Sequence, residues 1–267
     1  MAVLKAPSLA LLALEPMRGL SEFWLGCLLQ APLAMLCPRG DGHPVIVLPG
    51  LGAHDFHTLP LRWHLSRLGY QALPWQQGFN VGLRKGMPEL MAALTELVDG
   101  ATQGEHKKVS LVGWSLGGVF ARELAKQIPD KVRQVVTLGS PFSGAADATN
   151  AKWLYELLSD RRAQDDSELL ARLHERPPVP VTSVFSKSDG VVAWPCSVQA
   201  ASRTSESVEI PLASHLGLIA NPLVHYVVAN RLAQVEGCWA PFSGADSSPK
   251  KKRSSQKAGA RMMKARA

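Results

Sequence analysis

The feature that most constrains this chain is the alternation of short strand-like runs with segments of helical spacing. "VIVLPG" (45–50), "QALPW" (71–75) and "KVSLVGW" (108–114) read as strands, "VRQVVTLGSPF" (132–142) as a strand running into a loop, and "VPVTSVFSKSDG" (179–190) and "SVEIPLASHLG" (207–217) each as a strand and turn. Between them, "LPLRWHLSRLGY" (59–70) places Leu61, His64, Leu65 and Leu68 on one face, with Gly69 suited to a C-terminal cap. "GMPELMAALTELVDG" (86–100), "SLGGVFARELAKQIP" (115–129) and "NPLVHYVVANRLAQV" (221–235) are helical in the same way, two of them with Pro in the first turn. Strands that take turns with helices fold into a mostly parallel sheet, and such a sheet buries both faces under helices. About six strands are expected.

The rhythm breaks over 145–177, which is polar and dense in charge ("SDRRAQDDSELLARLHER"). An insertion after a central strand is expected to be a small helical lid. The chain therefore divides into a helical N-terminal segment (1–38), an α/β domain (39–242) that carries the lid insertion, and a basic tail (243–267). The net charge of +7 belongs entirely to that tail, which holds eight Lys and Arg and one Asp, so the folded body is neutral. Nucleic-acid binding by the body is not expected. The tail's Lys-, Ser- and Ala-rich composition predicts no packed structure, and leaves it open to contact anionic lipid or nucleic acid or to act as a targeting signal.

Phe23–Cys37 runs fifteen residues without a charge. A bilayer span needs about 20, and Gln30 and Pro32 are expected to interrupt the segment. Glu15 and Glu22 do not fit an export signal. The expectation is a cytoplasmic protein with a helix packed on the domain or lying on a membrane surface, and export or N-terminal anchoring stays open as the rival. The four cysteines, Cys27, Cys37, Cys196 and Cys238, show neither a CxxC pair nor zinc-ligand spacing, and read as reduced thiols.

Gly113-Trp114-Ser115-Leu116-Gly117 follows a strand and opens a helix, the setting that gives G-x-S-x-G its meaning. A serine in that turn has a strained backbone, which lifts Oγ out of the sheet and sets it beside the positive end of a helix. Gly113 and Gly117 are needed because side chains there would strike neighbouring backbone. Trp114 could pack under the turn or line a binding site. A serine hydroxyl is a weak nucleophile until a base takes its proton, so a histidine is required, and an acid to orient it. An anionic intermediate would need two backbone donors. One is the N–H of Leu116, and the other belongs to the loop after the first strand.

The series "VIVLPGLG", "VGWSLGG", "VTLGSPFSG", "VFSKSDGVV" and "ASHLGL" resembles the α/β-hydrolase superfamily, in particular its lipase- and esterase-like members, over about residues 44–235. The resemblance implies the order Ser, acid, His. It points to Asp189, after "VTSVF", as the acid and to His215, after "SVEI", as the base, each just past a strand. His174, in the expected lid, and His225, mid-helix among apolar residues, are the rival histidines. Relatives often carry His-Gly after the first strand; Pro49 stands in place of that histidine, so only the next backbone position carries over. Leu51 N–H is the expected second donor, with Gly50 or Gly52 as a shift by one. The activity implied is cleavage of small-molecule or lipid carboxylic esters through an acyl-enzyme on Ser115, with no cofactor. An acyltransferase or thioesterase would use the same three residues, and a non-catalytic interaction protein could share the fold.

Overall fold

A computed structural model describes residues 6–82, 86–102, 108–143 and 172–243. Most of the expected lid and nearly all of the basic tail lie outside them. Six parallel strands form one sheet: β1 (Pro44–Leu48), β2 (Gln71–Pro74), β3 (Val109–Trp114), β4 (Val132–Leu138), β5 (Val181–Phe185) and β6 (Ser205–Glu209). Their spatial order is β2-β1-β3-β4-β5-β6. Helices α1 (Leu9–Leu36), α2 (Leu59–Leu68), α3 (Met87–Thr102), α4 (Leu116–Gln127) and α5 (Pro222–Leu232) cover it.

The central strand β1 lacks polar alternation because both of its faces are buried. Val45 and Val47 point one way, into a core with Leu61 and Leu65 of α2 and Val224 and Val228 of α5. Ile46 and Leu48 point the other way, against Leu94 of α3 and Phe120 and Leu124 of α4. Each such side chain, fully removed from water, contributes about 1.5–3 kcal/mol.

The chain order has one reversal. From β1 it steps outward to β2, then returns across β1 to β3 and continues to β6. The carboxyl ends of β1 and β3 therefore flank the topological switch point, where open parallel sheets leave a crevice.

The N-terminal segment differs from its expected form. α1 is a single helix of 28 residues, capped by Ser8, and it passes through both Pro16 and Pro32. Each proline removes one ladder hydrogen bond, but contacts along one face hold the helix together. At Gly26 it lies so close that a Cβ would come within 2.1 Å of the Ala220 carbonyl oxygen. Gln30 Nε2 donates to the Pro60 carbonyl at 3.0 Å. By length and composition α1 could cross a bilayer.

Candidate active site

Ser115 sits at the junction of β3 and α4 with φ 53° and ψ −123°, a strained backbone for a residue with a side chain. Two glycines make the turn possible. A Cβ on Gly113 would lie 2.3 Å from Gly118 Cα, and one on Gly117 would lie 2.5 Å from the Leu48 carbonyl oxygen. The turn brings α4 against the end of β1 and leaves Ser115 Oγ at the switch point.

The loops after β5 and β6 reach the same edge. His215 Nε2 lies 3.0 Å from Ser115 Oγ, and His215 Nδ1 lies 2.7 Å from Asp189 Oδ2. Asp189 is fixed from its other oxygen, which accepts from the N–H groups of Val191 (2.8 Å) and Val192 (2.7 Å). All three residues are buried. Burial opposes charge on His215, yet the Asp189 carboxylate, through its charge and its hydrogen bond, and Glu15, through its charge, outweigh it. The imidazole pKa consequently stands above the ordinary histidine value.

The rival histidines go elsewhere. His225 is buried on α5, bonds the Ile219 carbonyl at 3.0 Å and stacks on His64. His174 is exposed, at the end of the helical residues described over 172–174. Trp114 does both things open to it. Its Nε1–H donates to the His215 carbonyl at 3.0 Å, and its ring lines a cavity of about 430 Å³ together with Leu51, Gly52 and Leu216.

A second Ser-His-Asp chain exists at the opposite edge of the sheet. His43 Nε2 lies 2.8 Å from Ser110 Oγ, and its Nδ1 bonds Asp41. Ser110 is an interior residue of β3 with no solvent exposure. Burial, followed by the effect of the Arg133 charge, overcomes the pull of Asp41 and lowers the His43 pKa. This chain satisfies buried polar groups and has no room for a substrate.

The loop after β1 is set by Asn80, which the sequence did not single out. Asn80 Nδ2 donates to the Pro49 carbonyl, and the Asn80 carbonyl accepts from Gly52 N–H, both at 2.8 Å. Gly52 N–H is thus engaged, which removes it as a donor to a ligand. Leu116 is the first residue of α4, where a helix leaves its N–H groups without partners inside the helix.

Sequence reasoning also missed how α1 meets the site. Glu15, buried to 2% exposure, accepts from Gly190 N–H (2.7 Å), His215 N–H (3.0 Å) and Leu216 N–H (2.9 Å). Arg18 donates to the carbonyls of Ser188 (2.9 Å) and Leu212 (3.0 Å). Glu22 accepts from Ser214 N–H and Asn221 Nδ2, both at 2.7 Å. One helix face therefore ties the loop of Asp189 to the loop of His215. Their spacing of three and four residues on an otherwise apolar helix was the available signal.

The strand order, the reversal at β1 and β3 and the strained serine at their crevice decide the architecture. The chain has the α/β-hydrolase fold. A sequence profile of the α/β hydrolase fold matches residues 101–220. Solved structures agree at the level of fold. A monoacylglycerol lipase of Paleococcus ferrophilus superposes with a TM-score of 0.54 at 17% identity, over 72% of this chain and 96% of that one. The lipase BlEst2 of Bacillus licheniformis in its mature form gives 0.55 at 17% identity, over 74% and 94%. Est1E of Butyrivibrio proteoclasticus, solved with ferulic acid bound, gives 0.51 at 15% identity, over 71% and 90%. No curated protein matches this chain by sequence. Among the described residues no cluster of His, Cys, Asp and Glu could hold a metal ion.

Proposed function

We propose that this α/β-hydrolase is a serine hydrolase of carboxylic esters. The observation that carries the reading is the unbroken line from Asp189 Oδ2 through both nitrogens of His215 to Ser115 Oγ, at 2.7 and 3.0 Å, at the switch point of the sheet. His215 Nδ1–H donates to Asp189, which leaves Nε2 free to accept the Ser115 proton as Oγ attacks the acyl carbon. The amides of Leu51 and Leu116 hold the oxygen that becomes negative, at the positive end of α4. The tetrahedral intermediate collapses, and His215 returns the proton to the departing alcohol. Water then attacks the acyl-enzyme with His215 again as base, releasing a carboxylic acid and restoring Ser115. No step calls for a cofactor.

The working place of the enzyme is, in this reading, the surface of a membrane. The inner face of α1 is spent on the site loops, while Met17, Leu20, Trp24, Leu25, Leu28 and Met35 face outward and are at least half exposed. A basic tail on the same chain would add attraction to anionic lipid.

Ser115→Ala tests the chemistry. The purified variant should melt like the parent, fail to label with a fluorophosphonate, and lose at least ~10³ in kcat on p-nitrophenyl butyrate. Undiminished turnover would overturn the assignment. Product analysis with water and an alcohol in competition separates hydrolysis from acyl transfer.

A further inference from the structure

Two apolar cavities lie end to end beside the site. The first, about 430 Å³, is walled by Leu51 of the β1 loop, Trp114 next to Ser115, and Leu216 next to His215. It continues to Phe23, Phe56 and Pro60. Those same three residues begin a second cavity of about 440 Å³ between α1 and α2, whose floor includes Cys27, Ala31 and Trp63. The polar exceptions on its wall are Arg67 and Gln30, whose amide nitrogen already bonds the Pro60 carbonyl. From Gly19, at the first cavity, to Ala31, at the second, α1 advances about 18 Å.

A trough of this kind fits one sort of occupant. Its walls offer a sugar or a charged group few partners beyond His57, Gln30 and Arg67, so most polar atoms of such a group would stay unpaired. The trough runs along about 18 Å of α1, a length that suits an extended chain better than a compact ring system. Its near end adjoins the residues that flank Ser115, His215 and the β1 loop. Its far end reaches Leu28, which is 77% exposed on the outer face of α1. We propose that the trough between α1 and α2 binds the long linear acyl chain of the substrate, so that the ester processed is a long-chain one. The inference rests on the ester-hydrolase reading, and it assigns α1 a substrate-binding role. Burial of each methylene in such a trough is worth about 0.8 kcal/mol, so preference should climb with chain length until the trough is full.

The full-length protein carries its own probe. Cys27 is exposed and lines the trough; Cys238 is exposed and does not. Maleimide labelling of both thiols is followed in the Ser115→Ala variant with sodium laurate or sodium butyrate present. Laurate should slow Cys27 at least ~5-fold while Cys238 keeps its rate, and butyrate should slow neither, as expected for binding through apolar area. Equal protection of the two thiols, or none, overturns the proposal. A second measurement uses the active enzyme: Cys27→Trp should lower the ratio of kcat/KM for p-nitrophenyl laurate to that for the butyrate by ~10-fold. An equal fall for both esters would count against the trough. If Ser115→Ala keeps its activity, the ester-hydrolase reading fails alone, because the labelling result reports binding without turnover.

Discussion

Ser115 holds φ 53°, a conformation that costs of order 1–3 kcal/mol and persists only because the surroundings fix it. The surroundings are specific: Gly113 and Gly117 admit the turn, and Ser115 N–H donates to the Leu138 carbonyl at 2.8 Å. At this same scale the state of His215 is testable. In the proposed mechanism His215 accepts the proton only when neutral, so kcat/KM should fall on the acid side through its pKa, which Asp189 and Glu15 hold above the ordinary value. Removing the Glu15 charge weakens the hold on the proton. In Glu15→Gln the acid limb of the kcat/KM profile should therefore move to lower pH. The amide nitrogen cannot accept, so one of the three loop N–H groups loses its partner, and kcat should fall by up to ~10-fold. An acid limb that stays in place would show that Glu15 does not act on His215.

At the scale of elements, α1 is the surprise. An ordinary surface helix turns its apolar side inward; α1 turns Glu15, Arg18 and Glu22 inward and Leu9, Leu14, Leu20, Leu25 and Leu28 outward, while Leu33 packs on the core. The expected break at Pro32 failed because the rule concerns an isolated helix, whereas this one is held along its length by contacts to 188–221 and to α2. Its closest approach offers a test. Any side chain on Gly26 must displace the Ala220 backbone, 2.1 Å from the Cβ position. Gly26→Val should cost about 1–3 kcal/mol, lowering Tm by about 2–4 °C for each kcal/mol. It should also slow fluorophosphonate labelling, because Ala220 belongs to the segment that carries His215. Parental Tm and labelling rate would mean α1 is not docked as described. The outward leucines bear on a separate outcome: the protein should float with anionic liposomes. Replacing Trp24 and Leu28 by Ser should abolish flotation while Ser115 still labels.

For the molecule as a whole, buried histidines with lowered pKa values, His43, His64 and His225, weaken it in acid. His64 is held down to about 4, by burial and then by the nearby Arg67 charge, and His225 to about 3, by burial and then by His64. The unfolded chain protonates both below about 6.5. Between those values the unfolded state binds more protons, so stability falls as pH drops below about 6.5. His215, with its raised pKa, works in the opposite sense, contributing stability at low pH that is lost as pH rises through its folded value. Tm should decline by at least ~4 °C from about pH 7 to about pH 5, and the His64→Gln, His225→Gln double variant should flatten the decline. An unchanged slope would assign acid lability to other groups.

The six strands, the helices between them and the turn at Ser115 could be read from the chain, because each depends on residues within a turn or a strand of one another. The parallel sheet followed from their alternation, and the order Ser115, Asp189, His215 from resemblance to relatives. Asn80, Glu15, Arg18 and Glu22 could not be found that way. Glu15 meets His215 across 200 positions, and no local pattern encodes such a contact. Nor could the choice between Ser115 and Ser110, each in line with a histidine and an aspartate, be made by counting residue types. The fold made it, by ending β3 at one serine and burying the other inside the strand. The sequence by itself determined the elements and their order, since local sterics and hydrophobic periodicity are written residue by residue. Only the tertiary structure decided which polar groups meet, because burial of unpaired charges and N–H groups is a cost that exists only once distant segments pack together.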